Sequence, residues 1–478
     1  MGDLIGELKG IVGAGNCLAG DDDRARYEAD VTRQHVGKSL AVVRPGSTAE
    51  VSAVMRLANR TRTPVVPLSG NTGLAGGGYA GNGGDTIILS LERMNRVLSI
   101  NTASRLARVE AGVILADLQA AAEAEGLVFP LMFGSRGSCM IGGNLSTNAG
   151  GSNVVRYGNT RSLVLGLEAV LPDGEVLDLM SELRKDNTGY DLKDLLIGAE
   201  GTLGVITGAV VQLFARPKAY ATAMVSVPDI AGGLQILHRL QAASGGGVEA
   251  FEYMPRDYFR NLRVVDPKTP VFIPEDAEVG IMIEIAATSD RDATPDADGS
   301  VPIAEVLTGV LGELMESGAV LDATVAQNET QRAQMWKQRE MAFMAAVHRG
   351  PVISTDVAVP LDRVDEFLRR ADAAILAKLP NAEFINVAHL GDGNLHYTIL
   401  PDASAPGAID EAVEDMVHTI VEDVVADLGG SFSAEHGIGL HKLGTMRRRK
   451  NPVALQVMRA IKAALDPNNI MNPGKTIP

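Results

Sequence analysis

PLSGNTGLAGGGYAGNGGD, residues 67–85, is a run of glycines and short polar residues between a brief apolar stretch at 64–67 and the segment IILSL that begins at Ile87. Inside it, GGGYAG at 76–81 has the form G-x-G-x-x-G. A dinucleotide fingerprint needs a strand before its glycines and a helix directly after them, so that the phosphates sit on the helix N-terminus. Here more glycines and then a β-like run follow, which excludes a nicotinamide Rossmann site. The left part, PLSGNTGL, reads differently. Gly70 and Gly73 free successive amides to point one way, and Ser69, Asn71 and Thr72 add short donors, making a concave anion nest that suits a pyrophosphate. A long surface loop has the same composition, so the stretch alone leaves both open.

Outward from this loop, helix and strand signals alternate. S-T-A-E from Ser47, ahead of VSAVMRLAN, is a capping box that opens an amphipathic helix. A helix is expected from about Ile114 to Gly126, then a second glycine-rich region at 134–151. Residues 163–179 read as a hairpin turning at Asp173-Gly174, and DLKDLLIGAEGTLGVITGAVVQLF as helix, tight turn, strand. Past Pro217 the glycine clusters thin out, and an exposed acidic loop is expected at 290–302. From about Gly429 the chain is again rich in glycine and histidine, SFSAEHGIGLHK, before a basic helix and the tail LDPNNIMNPGK. The expected organisation is a first domain at 1–216, a second at 217–428 and a C-terminal segment at 429–478.

Composition bounds the partners. The chain has 478 residues, 46% hydrophobic and 21% charged, with 52 glycines, as in a globular enzyme of two or three domains. A net charge of −16 argues against nucleic acid or an anionic membrane surface as main partner, since both demand a basic face. Cys17 and Cys139 are the only cysteines, which gives no disulfide framework and points to a reducing, cytoplasmic setting. The N-terminal MGDLIGELKGIVG lacks the marks of a signal or transit peptide, and no apolar run reaches the ~18 residues of a membrane span.

AHLGDGNLHYTIL, residues 388–400, brings two histidines near each other. With Asp392-Gly393 as a two-residue turn, His389 is expected to face His396, with Cβ atoms roughly 4.5–5.5 Å apart. The pair is either two imidazoles converging on one ion or two rings stacked on a sheet. A third ligand must come from elsewhere, and SAEHG supplies Glu435; two histidines and a carboxylate form a zinc set with a position left open.

Together PLSGNTGLAGG, GSCMIGGNLSTNAGG from Gly137, AEGTLGVIT from Ala199, HLGDGNLH, SAEHGIG and LDPNNIMNPGK resemble, in order and over nearly the whole chain, the vanillyl-alcohol-oxidase type of flavoprotein. The branch they resemble is that of the FAD-linked D-2-hydroxy acid dehydrogenases, the D-lactate and D-2-hydroxyglutarate enzymes. The resemblance implies an α+β fold, with a two-subdomain FAD-binding domain, an α+β substrate domain built on an antiparallel sheet, and a C-terminal segment returning to the flavin. Pro67, Ser69, Gly70, Asn71, Thr72, Gly73 and Leu74 would form the pyrophosphate loop. Gly134, Ser135, Ser138, Ile141, Gly143, Asn144 and Thr147 would lie along the isoalloxazine and phosphates, Glu200, Gly201, Gly204 and Ile206 further along the cofactor, and Asn472 near the flavin. Some relatives attach flavin through a histidine of the pyrophosphate loop; residues 67–85 contain none, so the expected FAD is non-covalent.

By the same resemblance His389, His396 and Glu435 are ligands of a divalent metal, zinc being expected, His436 takes the hydroxyl proton, and Arg339 in QMWKQREMAFMAAV grips the substrate carboxylate. An alcohol is far too weak an acid for an imidazole of pKa about 6.5, whereas zinc lowers bound water from 15.7 to about 7. Glu435 and His436 would point to opposite faces of a regular strand, so Gly437 is expected to turn the backbone there. Where 2-hydroxyglutarate enzymes hold the distal carboxylate with side chains that include a lysine, this chain has Phe343, Ser354 and Thr398. STDVAVP at 354–360 is more similar to the D-lactate type. The expected activity is therefore oxidation of a D-2-hydroxy acid with a small or apolar side chain, hydride passing to flavin, with D-2-hydroxyglutarate as the alternative substrate. A zinc hydrolase built on the same ligands would leave the glycine loops unexplained, and a flavin protein that turns nothing over is the remaining rival. The electron acceptor, whether an electron-transfer flavoprotein, a quinone or a cytochrome, is not named by the sequence, and a homodimer is permitted without being required.

Overall fold

Ser47 caps the helix Thr48–Thr61 as its sequence predicts: its side chain accepts from the Glu50 amide, and Glu50 reaches back to the Gly46 amide at 2.8 Å. This is the first long helix of a computed structural model that describes residues 4–402, 404, 407 and 409–478. The chain divides into two units, one of 1–150, 158–215 and 435–478, the other of 151–157 and 216–434. The breaks expected from sequence stand at 216/217 and 428/429; the grouping of 151–157 with the second unit has no signature in composition.

Among the described residues the first unit holds two larger sheets and a two-stranded pairing of Leu127–Val128 with Phe214–Ala215. One has four strands in the order Cys17–Leu18, Ala41–Val43, Ile87–Ser90, Val65–Leu68, parallel except for its first pair. Ala41, Val42, Val43, Ile87, Ile88 and Leu89 are all fully buried, the continuous apolar signature of a sheet covered on both faces. The other has five antiparallel strands, Val97–Asn101, Leu106–Glu110, Val205–Gln212, Val164–Val170 and Val176–Leu179. Its last pair is the hairpin turning at Asp173-Gly174, with Gly174 at φ +86°.

The second unit is built on one antiparallel sheet. Its strand order is Asp322–Val325, Ala219–Val227, Val279–Ala287, Val248–Pro255, Val387–His389, Asn394–Leu400, Ile353–Ala358, with Glu383–Phe384 pairing to Asn394–Leu400. Alternation sends Phe251, Tyr253, Ala388, Leu395 and Tyr397 into one core, under the helices Ile230–Ala243, Pro302–Glu316, Val364–Leu376 and Glu411–Asp427. Ala250, Met254, Met282 and Val387 point the other way, into a smaller core shared with Met335 of the helix Glu329–Glu340. Sheets and helices therefore mix as the sequence predicts, with an antiparallel sheet in the second unit.

Candidate active site

In the first unit the glycine-rich segments converge. A Cβ on Gly70 would lie 2.3 Å from the carbonyl oxygen of Ser138, one on Gly143 3.3 Å from the Ser69 Cβ, and one on Gly201 3.2 Å from Pro67. The loop at 67–77, the segment 134–147 and the turn at 199–204 thus touch through main chain, which larger residues would hold apart. Asn472 closes the set, donating from Nδ2 to the carbonyls of Gly77 (3.1 Å) and Glu200 (2.7 Å), with its own amide on Val65 O (2.8 Å). Asn144 Nδ2 and Asn472 Oδ1 are buried with no hydrogen-bond partner among the described residues. Such orphans cost about 1–3 kcal/mol each. A polar ligand among these glycines answers that cost, and the cradle fits FAD. After GGGYAG the chain runs through bends into the strand Ile87–Ser90 with no helix, as the exclusion of a Rossmann site requires.

Glu200, grouped by sequence with the cofactor contacts, uses its carboxylate to hold a loop of the C-terminal segment. Its two oxygens accept from the amides of Ile438 (2.9 Å) and Gly439 (2.7 Å). Burial pushes this carboxyl above the usual range, and the two amides pull it partly back. The loop it holds follows Glu435 and His436. Gly437 has φ +78°, and Glu435 and His436 offer ligand atoms within 4.8 Å of each other, so the turn expected at Gly437 is present and brings both side chains to one side.

In the second unit, the hairpin departs from the expected register. Ala388 opposes Leu395, His389 opposes Asn394, and Val387 opposes His396. A four-residue loop, 390–393, replaces the two-residue turn, with the amides of Asp392 and Gly393 both donating to His389 O at 3.2 Å. The predicted facing of His389 and His396 is corrected to a diagonal. A shift of two residues preserves side-chain parity, so both imidazoles stay on one face, with ring centroids 5.2 Å apart.

That face carries a polar row across four strands. Glu252 opposes His389, and Asp356 opposes His396, with ligand atoms of this last pair within 4.8 Å. His389 Nδ1 lies 2.9 Å from Glu252, and Arg339 donates from Nε to the same carboxylate at 2.7 Å. Glu252 is fully buried; burial alone raises its pKa, but His389 and Arg339 outweigh this and hold it at about 2. The helix of Arg339 is anchored one and two turns earlier, where Trp336 and Arg332 donate to the buried Glu284 at 2.8 and 2.7 Å. Arg339 Nη2 is buried without a partner among the described residues. Ser354 and Thr398 continue the row, with hydroxyls 3.1 Å apart, and Phe343 is 73% exposed. The second unit ends at Ala434, whose amide donates to Asp356 O at 3.3 Å, and Glu435 and His436 are the next two residues. The His396 imidazole and the Asp356 carboxylate are donors of the kind a divalent ion of the zinc type takes.

Two family descriptions match the chain: "FAD binding domain" over residues 39–180, and "FAD linked oxidases, C-terminal domain" over 216–476. The chain belongs to the FAD-linked oxidases. Relatives include the D-2-hydroxyglutarate dehydrogenase of Stutzerimonas stutzeri (35% identical, covering 99% of this chain and 98% of the relative). The Bos taurus mitochondrial enzyme of the same name is 37% identical, over 100% of this chain and 84% of the relative. Among solved structures, an alkyldihydroxyacetonephosphate synthase matches with a TM-score of 0.73 at 17% identity (99% of this chain, 86% of that one). A p-cresol methylhydroxylase matches at 0.72 and 16% (99% and 96%). Those structures, with the FAD binding domain match, bear out the expected α+β fold. This FAD-linked oxidase is an FAD-dependent dehydrogenase. Among its described residues no helix is long and apolar enough to cross a membrane.

Sequence reasoning missed Glu252 and Asp356. Both are carboxylates inside largely apolar runs, VEAFEYMP, which also carries Glu249, and STDVAVP, and a charge in a mostly buried strand signals a buried partner.

Proposed function

We propose that this enzyme oxidises the hydroxyl of a D-2-hydroxy acid to the 2-oxo acid, assisted by a divalent ion that His389, His396 and Glu435 would hold. The reading is carried by the Arg339 guanidinium, buried yet with Nη2 unpartnered beside Glu252 and His389. A buried donor of that kind calls for an anion, and a substrate carboxylate supplies it.

FAD, when bound, takes up the two electrons and the hydrogen of the α C–H bond. The divalent ion would supply the positive charge that makes the alcohol acidic near neutral pH. Arg339 binds the carboxylate and so fixes which face of the α-carbon is presented. A ring nitrogen of His436 accepts the hydroxyl proton, and the turn at Gly437 keeps that ring beside Glu435. The names of the relatives favour D-2-hydroxyglutarate, whose second carboxylate needs a cation. The hydroxyl pair of Ser354 and Thr398 on the same sheet face supplies none, which favours a small or apolar side chain.

Anaerobic bleaching of the flavin tests the reading, with D-lactate, D-2-hydroxyglutarate and their L-enantiomers run with and without chelator, and His436→Ala as control. Bleaching by D-acids alone, lost with chelator and restored by Zn²⁺, is expected. Failure of every 2-hydroxy acid to bleach metal-replete protein overturns it.

A further inference from the structure

Glu252 stands between the two functions assigned to its sheet face. It is fully buried on the strand Val248–Pro255, with His389 opposite it and Arg339 reaching it from the helix Glu329–Glu340. The Arg339 guanidinium, which keeps its charge in proteins, donates Nε to this carboxyl at 2.7 Å and so pairs it as a buried anion. An ionised carboxylate can only accept. The nitrogen of His389 that faces it at 2.9 Å, Nδ1, therefore carries the proton, and the ring's lone pair is at Nε2. Arg339 is constrained by the same oxygens: Nε is spent on Glu252, and the unpartnered Nη2 remains.

We propose that Glu252 is a shared positioning residue, setting both the ring nitrogen that His389 offers to a divalent ion and the guanidinium edge that Arg339 offers to the substrate carboxylate. Metal affinity and carboxylate recognition then depend on one side chain. Carboxylates behind metal-bound histidines fix tautomer and ring orientation in this way; here the second hydrogen bond extends that control to the arginine. The proposal rests on the metal and substrate roles given above. A purely structural Glu252 would only pair the buried Arg339 and accept from His389, and its loss would lower stability without changing the affinity of folded protein for metal.

The test is Zn²⁺ titration of metal-stripped, flavin-loaded protein, together with KM for the substrate that bleaches the flavin, in Glu252→Gln, Arg339→Lys and His389→Asn. Glu252→Gln is expected to weaken Zn²⁺ binding about 10- to 100-fold and to raise KM, whereas Arg339→Lys raises KM with Zn²⁺ affinity within about twofold of wild type. His389→Asn weakens Zn²⁺ binding and gives the scale for loss of a ligand. Zn²⁺ affinity in folded Glu252→Gln equal to that of wild type overturns the proposal. Should that variant fail to hold flavin, Glu252→Asp, too short to reach both partners, is judged by the same criterion. Imidazole ¹⁵N shifts of His389 in metal-free protein give an arm independent of the substrate and metal roles. A proton on Nδ1 in wild type and mixed tautomers in Glu252→Gln are expected, and a wild-type proton on Nε2 overturns the proposal even if the protein takes up no metal.

Discussion

The carboxylate of Glu200 accepts the main-chain amide of Gly439 at 2.7 Å, across 239 positions of sequence. With the parallel bond from Ile438, it fastens the loop that follows Glu435 and His436 to the turn of a glycine-rich segment. Glu200→Ala leaves two amides without an acceptor, a cost of about 1–3 kcal/mol each. A lower melting temperature and a fall in kcat are expected, with faster hydrogen exchange at Ile438 and Gly439. Unchanged exchange at those two amides would show that the clamp is not formed.

Gly437 is pressed against the same carboxylate. A Cβ there would lie 2.9 Å from Glu200 Cδ, and φ is +78°, a region that costs an L-residue about 1–2 kcal/mol. Gly437→Ala is expected to cut kcat strongly while the flavin stays bound. Wild-type turnover in this variant would contradict a fixed placement of His436.

Gly70→Ala addresses the cofactor. With only 2.3 Å between the new methyl and Ser138 O, the loop must move off the segment opposite. The variant is expected to purify with much less flavin per chain, read from visible absorbance. A fully yellow Gly70→Ala protein would place the pyrophosphate elsewhere.

Gly393 holds the histidine hairpin. Its φ is +81°, and a Cβ would come within 2.3 Å of Val359 O. Gly393→Ala should destabilise the second unit by roughly 1–3 kcal/mol in urea and weaken metal uptake. An unshifted urea midpoint would argue against the four-residue loop.

Asp372 gives a pH dependence. Burial raises its carboxyl to about 6, against a smaller opposing pull from its bond with the Tyr397 hydroxyl. The folded state keeps a proton that the unfolded chain releases near pH 4, so this contribution to stability is complete below about 4 and is lost as pH rises through about 6. Asp372→Asn should remove that decline, seen as a smaller difference between urea midpoints at pH 4.5 and 7. Identical pH profiles for the two proteins would refute the assignment.

What the sequence discloses follows from how locally each feature is written. Gly70 is marked by the local turn chemistry of its loop, whereas Asn144 and Asn472 are pointed to only by the family resemblance. The parity of His389 and His396 was legible locally, since a strand has period two. Their register was not, because Asp392-Gly393 suits a two-residue turn locally, and the longer loop is selected by contacts such as Gly393 against Val359. Glu252 lies 137 positions from His389. Its role depends on which strands become neighbours, and no local pattern carries strand order.

Val65 pairs with the stretch around Met471, and Asn472 reaches Gly77 across 395 positions of sequence. During synthesis the second unit is therefore complete while the nucleotide-gripping unit still lacks its closing strap, although the N-terminal part of a chain is generally the first to fold. A nascent polypeptide cannot make those contacts until the segment bearing Asn472 has left the ribosome, after residues 216–434 of the second unit have all been synthesised.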